Sequence, residues 1–228
     1  MQEQIELPRS RFAPPEERRR QLIEATLEVV AERGLTGTRI SEVTQRAGLS
    51  VGTVNHHFDS KEKLLTATLA YLAEELRDQW RPVFLDPARG PAEKLVAIVH
   101  GLYDPKVCTP VKIAVWFALF GDAHYRQVYR DMVKSFDHER TGAIAKLGAE
   151  LRVEGGYSSA DPVAIAQSVE SLADGLWLTL LLYPGRVTRE AAHRQTVALL
   201  ASHFPRHFGP EVDAAPTPQV FDQCSRSR

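Results

Sequence analysis

Proline and glycine cut this 228-residue chain into segments that each carry apolar residues at helical spacing, and that pattern points to an all-α fold. After Pro14-Pro15, Glu16 and Glu17 place negative charge at a helix N-terminus, where the dipole favours it. Leu22, Ile23, Leu27, Val29 and Val30 follow at helical spacing, and Gly34 is expected to stop that helix. Thr38 can cap a short second helix that carries Ile40 and Val43 and ends at Gly48. Ser50 can cap a third, very short helix through His57. Asp59 with Glu62 resembles a capping box that opens a fourth helix to about Trp80. Pro82, Pro87 and Pro91 make the next stretch a connection.

A second block begins at Pro91. Its spacing predicts helices near 91–102, 110–121, 124–152, 161–183 and 188–204, with no alternating run convincing enough for a strand. The segment 161–183 is apolar nearly all round, so burial against other helices or another subunit is expected. Together with 188–204 it is expected to form most of a two-fold interface. Beyond Phe208 the sequence turns to Pro and polar residues, the composition of a disordered tail. There is no internal repeat.

Bulk properties exclude several classes. With 43% hydrophobic residues the chain can bury one large core or two modest ones. A formal net charge of −1 argues against coating nucleic acid or anionic membrane by bulk charge, though not against a local basic face. The longest apolar run, Leu176 to Leu182, is too short to span a bilayer, and Met1 to Ser10 lacks the apolar stretch of a signal. Cys108 and Cys224 form neither a disulfide framework nor a metal-ligand pair. The expectation is a cytoplasmic protein without membrane contact.

The stretch "AGLSVGTVNHHFDSKEKLL" carries the sharpest signal. Two short helices around a turn at Gly48 give a helix-turn-helix, with Gly48 suited to the left-handed backbone that the turn needs. The second helix starts with Val51, Gly52 and Thr53, small enough to approach base edges, and its N-terminus attracts phosphate. Thr53, Asn55, His56 and His57 add hydrogen-bonding groups, flanked by Lys61 and Lys63. A metal or catalytic role for the His pair is disfavoured. Adjacent residues point about 100° apart on a helix, and no HxxxH or HExxH spacing is present. A merely solvated turn would not explain Ile40, Val43, Leu49, Val54 and Phe58, which can close a small core.

Residues 22–65 resemble the N-terminal domain of TetR-family transcriptional regulators, with its typical I-A-x-x-A-G-V-S-x-G-T-x-Y-x-H-F-x-S-K-x-x-L pattern. "ISEVTQRAGLSVGTVNHHFDSKEKLL" matches at Ala47, Gly48, Ser50, Gly52, Thr53, His57, Phe58, Ser60, Lys61 and Leu64. It departs at Asn55, where the family has Tyr. It departs again at Glu42 or Val43, depending on register, where the family has Ala. The resemblance implies a homodimeric, all-helical repressor that binds a palindromic double-stranded DNA operator and is released by a small effector. It implies an arm over 1–15 and a helix-turn-helix domain with connecting helix over 16–80. An effector-binding and dimerisation domain would follow over 81–208, then a tail over 209–228. Thr38, Arg39, Gln45, Ser50, Val51, Gly52, Thr53, Asn55, His56, His57 and Lys61 are the candidate DNA contacts. "KIAVWFALFGDA" and "SLADGLWLTLLL" are similar to the BetI-like subgroup, whose effectors are choline-like.

Arg9, Arg11, Arg18, Arg19 and Arg20 form a basic run that is either a solvated helix end or an arm reaching phosphate. In the second block, Tyr103, Trp116, Phe117, Phe120 and Trp177 are candidate effector contacts, although aromatics at this spacing usually build core. Glu170, Asp174 and Trp177 share one helix face. Glu170 with the aromatics suits a cation; Asp174 has a structural alternative as a cap or ion-pair partner. An apolar effector would use the same aromatics without Glu170. No enzyme motif appears: the G-x-S-x-G elbow, the Walker loop and the dinucleotide fingerprint are absent. No cofactor, metal or catalytic residue is expected, and Gly142 and Gly148 read as sites of close helix packing. The competing reading, resting on Asn55, is a helical effector-binding or scaffold protein without DNA-binding activity.

Overall fold

The structure, a computed structural model, describes residues 14–122 and 125–208. Arg9, Arg11, Cys224 and the expected disordered tail lie outside those residues. Among them the regular elements are all helical: α1 (Pro15–Gly37), α2 (Ile40–Ala47), α3 (Val51–Phe58), α4 (Lys61–Leu85), α5 (Pro91–Leu102), α6 (Pro110–Gly121), α7 (Tyr125–Gly155), α8 (Pro162–Leu182) and α9 (Arg189–His203). An isolated bridge between Pro184 and Val187 adds no strand. No described helix is long and apolar enough to cross a membrane. The chain divides into two compact units, one through Thr68 and one from Leu69, so α4 contributes to both.

In the first unit α1 packs on α2, and α2 on α3. Leu22, Val30, Val43, Val54, Phe58 and Leu64 are buried there, while Ile40 and Leu49 are half-buried. Gly34 (φ 70°) breaks α1, but the chain resumes one more turn to Gly37 instead of stopping. Thr38 is not the cap of α2. Arg39 holds that position without a side-chain bond, and the buried Thr38 donates its hydroxyl to the Gly34 carbonyl at 2.7 Å. Ser50 stands at the N-cap of α3, yet its hydroxyl meets the Thr53 hydroxyl at 3.0 Å and not a backbone N–H. The opening of α4 is capped by Ser60, whose Oγ accepts from the Lys63 N–H at 3.2 Å. Asp59 instead pairs with Lys63 at 2.6 Å.

In the second unit α4 continues past Pro82 to Leu85. The proline sits in the last turn, so it forfeits the one backbone bond that residue 82 would donate to the Asp78 carbonyl, and the helix ends three residues later. α7 ends at Gly155, beyond the expected 152, and packs chiefly on α8. α5, α6 and α9 close around that pair. α8 is not buried all round: Ile165, Ala166, Val169, Ala173, Leu176 and Trp177 face the core, whereas Val163, Leu178 and Leu182 are exposed. Its outer face also carries Ser168, Ser171 and Gly175, residues small enough for a close approach.

Gly48 closes α2 in the left-handed region (φ 66°, ψ 34°), its N–H reaching the Gln45 and Thr44 carbonyls. A Cβ there meets the following carbonyl. Gly48→Ala is expected to lower stability by about 1–2 kcal/mol, read from the denaturant midpoint of the first unit's unfolding.

Candidate functional site

α3 is amphipathic in a way that sets its role. Val54 and Phe58 point into the first unit's core, one turn apart, and anchor the helix. The opposite side presents Val51, Gly52, Asn55 and His56 to solvent, with Ser50 exposed just ahead of it. Thr53 and His57 are half-buried at its flanks. Arg39, at the N-cap of α2, and Gln45, on α2, are exposed as well. The outer side therefore offers a short apolar contact at Val51, an amide and an imidazole, with no interfering acid on α3 itself. Burial, then His56 and Arg19, lower the pKa of His57, against a small opposing effect of Glu16.

Two candidates behave differently from expectation. Thr38 is buried and both its donors are engaged, the hydroxyl with Gly34 and the N–H with the Leu35 carbonyl, so it has nothing to offer a phosphate. The Lys61 ammonium donates to the Leu35 carbonyl at 3.1 Å, tying α4 to the C-terminal end of α1. Two ammonium protons stay available.

The second unit holds a cavity of about 160 Å³ lined by Leu76, Leu102, Trp116, Phe120, Asp137, Arg140, Thr141, Glu170, Ala173, Asp174 and Trp177. That is small beside the roughly 300–1,000 Å³ of drug-sized pockets. α6 contributes Trp116 and Phe120, with rings 5.9 Å apart. α8 contributes Trp177, held by donation from its Nε1 to the Leu102 carbonyl at 2.9 Å. Phe117 does not line the cavity; it packs edge-on against Phe120 at 5.6 Å. Tyr103 does not line it either, since its hydroxyl is buried against Thr196 at 2.8 Å, linking α5's end to α9. Burial pushes the Tyr103 phenol up and keeps it neutral.

Glu170 is not a free carboxylate awaiting a cation. Arg140, on α7 and almost fully buried, grips both its oxygens, through Nε at 2.8 Å and Nη2 at 2.5 Å, and lies 3.6 Å from Asp137. Burial disfavours the charge on Arg140, but Glu170, then Asp137 and Asp174, outweigh it and hold its pKa above the usual value. Asp174, one turn beyond Glu170, keeps an exposed edge, yet its pKa is pushed up to about 6. The cause is burial of the carboxyl first and repulsion by Glu170 second, with Arg140 opposing. The cavity thus sets three carboxylates against one guanidinium beside three aromatic rings. Asp137 and Arg140 escaped the sequence reading because "DHERTG" looks like a solvated charged face; its one clue was the i, i+3 spacing of the pair.

Comparison with known proteins fits both units. Residues 22–68 match the family model for bacterial regulatory proteins of the tetR family, and residues 91–205 match the BetI-type transcriptional repressor C-terminal model. The chain belongs to the TetR family. It is a ligand-responsive DNA-binding transcriptional regulator with a BetI-type C-terminal region, and this is not a family of enzymes. The HTH-type transcriptional regulator BetI of Escherichia coli O45:K1 is 31% identical over 194 residues, which cover 82% of this chain and 94% of that protein. Among solved structures, a transcriptional regulator from Pseudomonas aeruginosa PAO1 superposes with a TM-score of 0.71 at 25% identity, covering 86% of this chain and 96% of that one. A regulator from Saccharomonospora viridis, solved in complex with choline, superposes at 0.65 and 21% identity, covering 82% and 97%.

The geometry makes Tyr103 a structural residue. Tyr103→Phe is expected to cost about 0.5–1.5 kcal/mol of stability and to leave ligand affinity unchanged, since Thr196 still donates to the Ala192 carbonyl. Thermal unfolding and calorimetric titration check the two halves.

Proposed function

We propose that this TetR-family regulator is a cytoplasmic homodimer whose cavity takes a small quaternary ammonium ion such as choline and whose α3 reads a palindromic operator. The surplus of carboxylates over Arg140, beside Trp116, Phe120 and Trp177, carries the ligand assignment. A cation gains from ring faces by about 0.5–2 kcal/mol and from unbalanced negative charge, whereas an apolar molecule would leave that charge uncompensated. Glu170 serves in this reading as Arg140's counterion, and Asp174 is the carboxylate that faces the ligand. The choline complex of the Saccharomonospora viridis regulator, a distant structural relative, supports the same class.

On DNA, Val51, Gly52 and Asn55 would stand nearest base edges, with Val51 suited to a thymine methyl and Asn55 to adenine. Ser50, Thr53, His56, His57 and Lys61 would hold the flanking backbone, with Arg39 and Gln45 at the periphery. The outer face of α8 (Val163, Gly175, Leu178 and Leu182), together with α9, would form the two-fold interface. Two α3 helices would then face half-sites roughly 34–36 Å apart or somewhat more. Leu178→Arg places a charge in that interface. It should give a monomer by sedimentation and abolish operator binding while ligand binding persists.

The deciding experiment compares choline with its uncharged carbon isostere, 3,3-dimethylbutanol, by calorimetry and thermal shift. Choline should bind roughly 2–30-fold tighter and weaken DNA binding; equal binding of the two would overturn the cationic assignment. The pH dependence follows from Asp174. As pH falls through about 6 the carboxyl takes a proton, the cavity loses negative charge, and choline affinity drops. Asp174→Asn should flatten that profile. A carboxylate whose folded pKa lies above its unfolded value destabilises the fold as pH rises from about 4 to about 6. The same variant should therefore melt higher than the parent at pH 7.5, with the gain gone near pH 4.

A further inference from the structure

α3 has few means of holding itself in place. Eight residues make only two turns, too short to be stable alone in water. At its N-terminus the Ser50 hydroxyl is spent on Thr53, so no side chain caps a backbone N–H there. At its C-terminus the chain leaves through Asp59 at φ 58°, a left-handed conformation that a residue with a Cβ adopts at a cost. Two apolar anchors, Val54 and Phe58, are the side chains of α3 that are buried in the core.

The basic run of α1 supplies what is missing. Arg18 bonds Gln21 at 3.1 Å and Arg20 bonds Glu17 at 2.9 Å, both within their own helix. Arg19 reaches across to α3. Its guanidinium lies over the Phe58 ring, 4.5 Å from the centroid, and its Nη1 makes a long hydrogen bond to the His57 carbonyl at 3.5 Å. A cation at a helix C-terminus meets the negative end of the dipole and a carbonyl left without a partner inside the helix. Its contact with the Phe58 ring and its bond to the His57 carbonyl together brace the last turn of α3.

We propose that Arg19 is a positioning residue for operator recognition: it holds the C-terminal turn of α3 from behind and does not itself touch DNA. This rests on α3 being the reading helix. Non-specific binding needs only charge near the backbone, whereas reading bases needs Val51 and Asn55 held at a fixed orientation. Loss of Arg19 should therefore erode specific binding selectively.

The test uses the full chain and two duplexes: one that the parent enriches from a random-sequence pool, and a scrambled duplex of equal length. Arg19→Met keeps the apolar stem and removes the cation. It should weaken the enriched duplex about 5–10-fold while leaving scrambled affinity and the salt slope unchanged. In the DNA-free protein it should speed amide exchange at residues 54–58 by about threefold or more. Arg19→Lys, which retains charge but not the planar stack, should fall between parent and Met without lowering the melting temperature. Arg19→Met combined with Phe58→Leu should bind no worse than the weaker single variant, because the two act as one contact. Equal losses on both duplexes with a salt slope lowered by about one would make Arg19 a phosphate contact and overturn the proposal. Unchanged affinity with unchanged exchange would overturn it too. Failure of the parent to enrich any duplex would remove the operator reading itself, while the exchange measurement would still report whether Arg19 holds α3.

Discussion

Burying the guanidinium of Arg140 between α7 and α8 obliges its surroundings to be acidic. A buried ion costs several kcal/mol to desolvate, and only close, well-oriented partners return that cost. Glu170 supplies the bidentate partner across the helix pair, and Asp137 lies one turn back on α7. Asp174, one turn on from Glu170, goes beyond what pairing requires. Its pKa is raised first by burial of the carboxyl and then by repulsion from Glu170, which Arg140 only partly offsets. The ion pair that ties the two most extensively packed helices together therefore also leaves the cavity lined by more carboxylates than cations.

The small unit depends on a different constraint, the shortness of α3. A helix that must present Val51, Gly52 and Asn55 outward cannot be buried on every side, so little of its surface contributes to stability. Its placement is settled by groups on other helices. Val54 and Phe58 enter the first unit's core, where α3 packs on α2, and the cations Arg19 and Lys61 reach the carbonyls of His57 and Leu35, near the ends of α3 and α1. Both read from sequence as plausible phosphate ligands. Their contacts show that helix C-termini draw on the same basic residues that a helix-turn-helix can offer to phosphate.

Much of this was legible in the sequence, and the boundary is physical. Helix order was readable from spacing because Pro15, Pro91, Pro110 and Pro162 each open a helix and mark it for any reader. The Gly48 turn was readable because a left-handed residue between two short helices leaves few alternatives. Caps were read less well. Thr38, Ser50 and Asp59 are all good capping residues, yet none of them bonds a backbone N–H and Ser60 does, a choice of rotamer and position that spacing does not encode. The cavity was half visible. Trp116 and Phe120 lie on α6, and Glu170, Asp174 and Trp177 on α8, whose segment read as apolar nearly all round, so its acids stood out. Arg140 and Asp137 lie on a helix dense with charge, where one buried pair cannot be told from its solvated neighbours. Tyr103 and Phe117 were drawn in by aromatic character alone, and contacts with Thr196 and Phe120 claim them for packing.

The size of the cavity bears on how a ligand could govern DNA binding. A small ammonium ion of about seven non-hydrogen atoms has a ceiling near −1.5 kcal/mol per atom, roughly 10 kcal/mol in all. Moving a two-state equilibrium from 1:99 to 99:1 takes about 5.5 kcal/mol of preference for one state over the other. A ligand this small would have to devote half its greatest attainable binding energy to discriminating between states, which leaves modest affinity for the favoured one. Two linked sites in a dimer halve the requirement per site, since each contributes its own preference to the shared equilibrium. The acidic cavity suits that demand. At an effective dielectric of ~20 an ion gains roughly 4 kcal/mol from a carboxylate at ~4 Å and about 0.8 kcal/mol less at ~5 Å. A ~1 Å shift of α6 against α8 that moves Trp116 and Asp174 therefore changes the charge contacts and weakens the ring contacts together.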